Sequence, residues 1–301
     1  MTGEDGGSIS TRVLVESMVT DDGSIDVDEL YVVAGHLGMT DQQIRLCVRR
    51  LVAEGQLIQE GRGRRAALHA TGELRSSLAP NAEYIRLMFA QDRGEANWDG
   101  VWHLVGFAIP ESARPARDGI RTAVVRLGGA AIQGGLYVSP HAWESHLADL
   151  LADLDVAEYV TMCTTNDLSV GGVSDPRRLA STLWPLESIA AGYRQLLDMA
   201  HEHRTRLRSI PRVIDPGTAH PAADPTTAAL ALTLAAEFSR ATEPDPLLPP
   251  ELLPQPWPGT QARDVVVDCW SALLARYARP RQPLLFRSYA AVVDEVLAAH
   301  S

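Results

Sequence analysis

Between residues 10 and 54, apolar side chains recur at intervals of three and four, in three stretches separated by residues that start or stop helices. Leu14, Val15, Met18 and Val19 predict a helix over 10–19, broken by Thr20-Asp21-Asp22-Gly23-Ser24. A second helix, over about 27–37, turns Leu30, Val33 and Ala34 inward and ends at Gly38. The third, over about 41–54, places Ile44, Cys47, Val48 and Leu51 on one face and stops at Gly55. Thr40-Asp41-Gln42-Gln43 opens it in the form of a capping box, with Gln43 at the third helical position. Leu57-Ile58 and Ala66-Ala67-Leu68, either side of a Gly61-Arg62-Gly63 turn, read as a short hairpin. Two helices, a short turn, a third helix and a hairpin are the order of a winged helix-turn-helix, here over 8–75.

A connecting helix over 76–97, with Tyr84, Leu87, Met88 and Phe89, leads to a second pattern. Strands are expected at Trp102–Ile109, Ala130–Val138 and Tyr159–Cys163, with helices at about 114–127 and Trp143–Leu151 between them. Ile120, Val124 and Leu127 line one side of the first of these helices. The β-α-β-α-β order predicts a small ferredoxin-like half over 98–175. Residues 176–301 read as mainly helical, at about 178–208, 226–241, 261–277 and 287–299. Asp215 to Pro225 is a loop, and Pro244 to Pro258, with seven prolines in fifteen residues, is an extended rigid connection. The expected fold class is α+β: a winged helix-turn-helix, a ferredoxin-like middle domain and a helical C-terminal domain.

Composition narrows the chemistry. All 27 basic residues of the 301 are arginine, so a Walker A lysine and a Schiff-base lysine are both excluded. Cys47, Cys163 and Cys269 are too far apart for a zinc spacing or a disulfide framework, which fits a reducing cytoplasm. The polar MTGEDGGS start reads against a secretory signal, and no apolar run approaches membrane-span length. No membrane partner, cofactor or metal is expected.

A net charge of −11 argues at first against nucleic acid. Its distribution reverses that for one stretch. Residues 45–65 hold six arginines (45, 49, 50, 62, 64, 65) against Glu54 and Glu60 only. In a winged helix the third helix enters the major groove. Thr40, Gln42, Gln43, Arg45 and Arg49 then lie where side chains reach bases or phosphates. Arg62, Arg64 and Arg65 form a basic wing suited to phosphates or the minor groove. Arg50 is placed to cover an apolar edge with its stem.

The proline segment is the most specific feature. It runs Asp245-Pro246-Leu247-Leu248-Pro249-Pro250-Glu251-Leu252-Leu253-Pro254, then Trp257-Pro258-Gly259 and Ala262-Arg263. This resembles the C-terminal signature of the PaaX family, the repressors of phenylacetate catabolism. Ile44-Arg45, Arg50-Leu51-Val52 and Glu54-Gly55 resemble its recognition helix. Trp98-Asp99-Gly100 with Trp102, Gly135-Leu136-Tyr137-Val138-Ser139-Pro140, and Trp184 with Tyr193-Arg194 also fit, in the family's order. Two positions depart from it: Gln56 stands where a tryptophan is common, and Glu237-Phe238-Ser239-Arg240 replaces a His-x-Tyr-Arg run.

The resemblance implies a homodimeric repressor on palindromic double-stranded operator DNA, released by a small effector such as an aryl-CoA thioester held between the middle and C-terminal domains. It also implies a middle domain similar to the endoribonuclease-like fold of CRISPR adaptation proteins. The first strand of that domain ends Ala108-Ile109-Pro110-Glu111, without an aspartate at its tip. Glu111 is expected to cap the next helix, so no catalytic residue and no enzyme activity are expected; a metal-dependent nuclease and a protein-binding adaptor are the alternatives. His201 and His203 point in different directions on a helix and are expected to be solvated, and Cys163 to be a buried small hydrophobe. Arg204, Arg206 and Arg208, with Arg212 beyond, are the candidate site for an anionic effector.

Overall fold

A computed structural model describes residues 9–20, 22–61, 67–78, 82–210, 225–276 and 283–298. The chain divides into two compact units that do not follow its linear order. The first combines Met1–Ala82 with Arg194–Ala241 and Gln261–Ser301, and the second combines Glu83–Tyr193 with Thr242–Thr260.

In the first unit, α1 (Thr11–Ser17), α2 (Val27–His36) and α3 (Asp41–Ala53) each begin at a side-chain cap: Ser10, Asp26 and Thr40. A side-chain oxygen before each helix accepts from a backbone N–H that the helix cannot satisfy. Leu14, Val15, Leu30, Val33, Ala34, Ile44, Val48 and Leu51 form their buried faces, as the periodicity predicts. The strands β2 (Leu57–Glu60) and β3 (Ala67–Ala70) pair antiparallel from Leu57↔Ala70 to Glu60↔Ala67. A two-residue strand, β1 (Ser24–Ile25), adds to the other edge of β3, in sheet order β1-β3-β2. Only Thr20–Ser24 as a break is legible beforehand, because two residues are too few to show alternation. A short helix, α4 (Gly72–Ser77), follows. The expected helix over 76–97 is therefore not continuous: α4 ends at Ser77, and α5 (Ala82–Asp92) starts anew.

The same unit holds α9 (Leu186–Ser209) from Arg194 onward, α10 (Pro225–Thr242) to Ala241, α11 (Pro258–Leu274) from Gln261, and α12 (Leu284–Ala298). Trp270 stacks on Tyr289 with centroids 3.9 Å apart and meets Phe286 edge-on, while Phe238 meets Tyr289 edge-on. The Leu284 N–H donates to the Val19 carbonyl at 2.7 Å, which ties the start of α12 to the segment that leaves α1.

In the second unit, β4 (Trp102–Phe107), α6 (Arg114–Arg126), β5 (Ala130–Gln133), β6 (Leu136–Ser139), α7 (Glu144–Asp153) and β7 (Val160–Thr165) make a βαββαβ layer. All its strand pairs are antiparallel, in order β5-β6-β4-β7. The strand expected over Ala130–Val138 is thus a hairpin, and the half is a complete ferredoxin-like unit. Gly134-Gly135 makes the turn: Gly135 has φ +83°, and a Cβ there would lie 2.6 Å from the Phe107 carbonyl oxygen. Val105, Ile120, Val124, Tyr137, Trp143, Leu147 and Leu151 fill the core between sheet and helices. Cys163 is exposed rather than buried, because β7 is the edge strand and its middle residues are left uncovered by the described residues. Glu111 lies in a 3-10 turn and caps no backbone; it pairs with Arg117 at 2.8 Å and Arg114 at 3.8 Å.

The expected helix over 178–208 is two, α8 (Pro176–Leu183) and α9, because Pro185 forces Trp184 into extended backbone. The proline segment packs inward along this unit. Leu247, Leu248, Leu252, Leu253 and Trp257 are buried, and Asp245 accepts from the Tyr193 hydroxyl at 2.6 Å. Its backbone carbonyls receive Tyr84 Oη at Asp245 (3.0 Å), Gln91 Nε2 at Leu247 (2.7 Å) and His141 Nε2 at Leu247 (2.8 Å). Prolines leave carbonyls without neighbouring N–H donors, so Tyr84 and Gln91 of α5 and His141, just after β6, supply them. A segment expected to connect is instead a core element.

Candidate nucleic-acid interface

The capping box predicted for α3 is present. Thr40 Oγ1 accepts from the Gln43 N–H at 3.3 Å, and Gln43 Oε1 accepts from the Thr40 N–H at 2.7 Å. The Thr40 hydroxyl also donates to Gln43 Oε1 at 3.0 Å. These two side chains hold the helix start, and both are exposed. Gln42, Arg45 and Arg49 remain on the exposed face. Arg45 lies 3.4 Å from Asp41 and Arg50 lies 3.7 Å from Glu54, both loose pairs near solvent. Arg49 has no acidic partner among the described residues. Arg50 stands out in solvent rather than lying along an apolar edge. The wing arginines Arg62, Arg64 and Arg65 lie outside the described residues, as does Arg212.

The inward face of α3 fixes how the outward one points. Ile44, Val48 and Leu51 pack against α1, α2 and β2, so positions 42, 45, 46, 49 and 50 cannot turn in without exposing them. Two features escaped the sequence reading. Leu46 sits at the centre of the outward face and is 56% exposed. Arg12 of α1 clamps the far end of α3, donating to Glu54 Oε2 at 2.9 Å, to Glu16 Oε1 at 2.7 Å and to Gln56 Oε1. Gln56, the departure from the family pattern, is thus the acceptor that completes this clamp. Its signal was the pairing of an unusual polar residue with an arginine at the start of another helix.

The second candidate cluster does not converge. Arg204 and Arg208 stand one turn apart on α9, but Arg206 is some 200° around the helix from Arg204. Arg204 lies 3.6 Å from Asp268 and donates to His201 Nδ1 at 2.9 Å. His201 is exposed, as expected, whereas His203 is 6% exposed and not solvated. Its Nε2 meets Thr233 Oγ1 of α10 at 3.1 Å, and its Nδ1 is buried without a hydrogen-bond partner among the described residues. Burial, with a smaller contribution from Arg206, drives the His203 pKa down to about 4. Leu196, Ala200, His203 and Leu207, spaced four, three and four, are all buried, and that stripe was the available signal.

Among the described residues no three His, Cys, Asp or Glu side chains converge as a metal site. No described helix is long and apolar enough to cross a membrane.

Three family models match the chain. Residues 5–73 match the PaaX-like protein family, 95–180 the PaaX protein central Cas2-like domain, and 184–279 the PaaX-like protein C-terminal domain. No curated protein matches it significantly. A solved structure described as uncharacterized protein Rv0674 from Mycobacterium tuberculosis is similar, with 22% identity over 90% of each chain and a TM-score of 0.49. With all three matches in order along the chain, the protein belongs to the PaaX family and is, at that level, a PaaX-type transcriptional regulator.

Proposed function

We propose that the protein is a ligand-responsive repressor that binds a palindromic operator as a homodimer, through two winged helices. The observation that carries this reading is the outward face of α3. There a capped helix, anchored by Ile44, Val48 and Leu51, holds Gln42, Arg45, Arg49 and Arg50 toward solvent in an otherwise acidic chain. Glutamine and arginine are the natural bidentate partners of adenine and guanine. Gln42, in the first turn of the helix, and Arg45, at the start of the second, are the base readers, and Arg49 is the phosphate contact. Thr40 and Gln43 serve by fixing the helix start. A dimer is proposed because one such module buries too little DNA for useful specificity, whereas two half-sites multiply it.

Release requires a ligand that favours the non-binding state; a ligand indifferent to the two states shifts nothing. An aryl-CoA thioester is the effector class we propose, its phosphates taken by Arg204 and Arg208 on one side of α9. Arg206, on another side, is left out of that pair. The helices α9 to α12 share a compact unit with α1–α3, and the Leu284–Val19 hydrogen bond is a direct mechanical link between them. We propose no catalytic role. Glu111, near the end of the first strand of the middle domain, pairs with Arg117 and Arg114 in the open.

An electrophoretic shift with the DNA upstream of the protein's own gene, with and without phenylacetyl-CoA, tests both parts. The wild type should retard the duplex and lose it on adding the thioester; the Arg204→Glu/Arg208→Glu variant should retard it and keep it. Absence of any shift would refute the DNA reading, and release that persists in the double variant would refute the effector site.

A further inference from the structure

Leu46 lies two residues from Ile44 and two from Val48, which puts it opposite the buried face, at the point of α3 furthest from the core. Its neighbours on the helix surface are Gln42 at i−4, Arg49 at i+3 and Arg50 at i+4, with Arg45 beside it. A single exposed leucine is ordinary on most surfaces. Here it is the apolar centre of a patch made otherwise of an amide and three guanidinium groups. Such a ring repels an apolar protein partner, which would have to desolvate every one of those charges. It suits a polyanion that carries small apolar groups between its phosphates. In the major groove the 5-methyl of thymine is that group, and apolar side chains read it by contact.

We infer that Leu46 is a specificity-determining residue that packs against a thymine methyl in each operator half-site. The inference deepens the DNA-binding reading and rests on it. Gln42 and Arg45 then read adenine and guanine by hydrogen bonds, and Leu46 distinguishes thymine from cytosine at a neighbouring step, where hydrogen-bonding side chains give no methyl contact.

The test isolates one methyl group. A duplex is selected with the full-length protein from a random library, and each thymine is replaced in turn by deoxyuridine, which removes only the 5-methyl. The wild type should bind about fourfold more weakly at one or more positions per half-site, the ratio expected for one buried methyl. Leu46→Ala, at an exposed position that does not threaten folding, should bind the parent duplex more weakly and be indifferent to the same replacements. A wild type insensitive to every replacement, or a Leu46→Ala variant with undiminished sensitivity, overturns the inference while leaving DNA binding intact. A Leu46→Ala variant that changes oligomeric state and not thymine discrimination overturns it in favour of a second copy on this face. Failure to select any duplex overturns the DNA reading and the inference together.

Discussion

His203→Gln should remove about 2 kcal/mol of the stability the protein loses between about pH 7.5 and about pH 5. His203 is held neutral: the residue is 6% exposed, Nδ1 has no hydrogen-bond partner among the described residues, Arg206 adds repulsion, and its pKa falls from 6.5 to about 4. A base whose pKa is depressed by folding binds fewer protons native than unfolded. Its contribution to stability is complete above pH 6.5 and is lost as the pH falls from there through about 4. At about pH 5 the unfolded imidazole is almost fully protonated and the native one hardly at all, which costs about 2 kcal/mol; below both values the loss approaches about 3 kcal/mol. Urea titrations of the wild type and His203→Gln at about pH 7.5 and about pH 5 measure this as the change in their stability difference, in which all other titrating groups cancel. The wild type should lose about 2 kcal/mol relative to the variant on acidification. A difference that stays constant between the two pH values would refute the account of His203 as buried and neutral.

Three further changes probe the scaffold. A methyl at Gly129 would lie 2.5 Å from the Trp143 ring and 2.8 Å from the Val124 carbonyl oxygen, so Gly129→Ala should destabilise the ferredoxin-like layer by about 2–3 kcal/mol in urea titration. Tyr193→Phe removes the hydroxyl that donates to buried Asp245 and should cost about 2 kcal/mol, read as a lowered melting temperature; an unchanged one would show that the proline segment does not depend on this bond. Arg12→Ala loosens the clamp on Glu54 and Gln56 and should weaken operator binding several-fold without altering its salt slope, since Arg12 is spent on Glu16, Glu54 and Gln56 rather than on phosphate.

The amphipathic parts of the fold were the legible ones. Leu14, Leu30, Val33, Ile44 and Leu51 announce their helices because one face of each is buried and the other solvated, and Thr40 with Gln43 announces the start of α3. Where burial depends on what a neighbour covers, sequence said less. The apolar residues of β5 and β6 continue across Gly134-Gly135, so a hairpin reads as one strand. The β-branched and apolar residues around Cys163 mark a strand without marking it as an edge. The prolines of 244–258 suggested a tether, and only the donors from Tyr84, Gln91 and His141 turn it into a core element. At the candidate interface, charge and amide residues were found by type, whereas Leu46 was passed over because an exposed apolar residue breaks the expected pattern. Arg206 is near Arg204 in sequence, and helical geometry separates them.

The central claim is that the outward face of α3 lies on DNA, and the salt dependence of binding tests it most directly. Fluorescence anisotropy of a selected duplex with the wild type and with Arg49→Ala, across a range of salt concentrations, gives the slope of log affinity against log salt for each. Loss of one phosphate contact should flatten the slope by ~0.9 per half-site, with the variant still folded and still binding. Equal slopes for the two proteins, or no binding by the wild type at low salt, would contradict it.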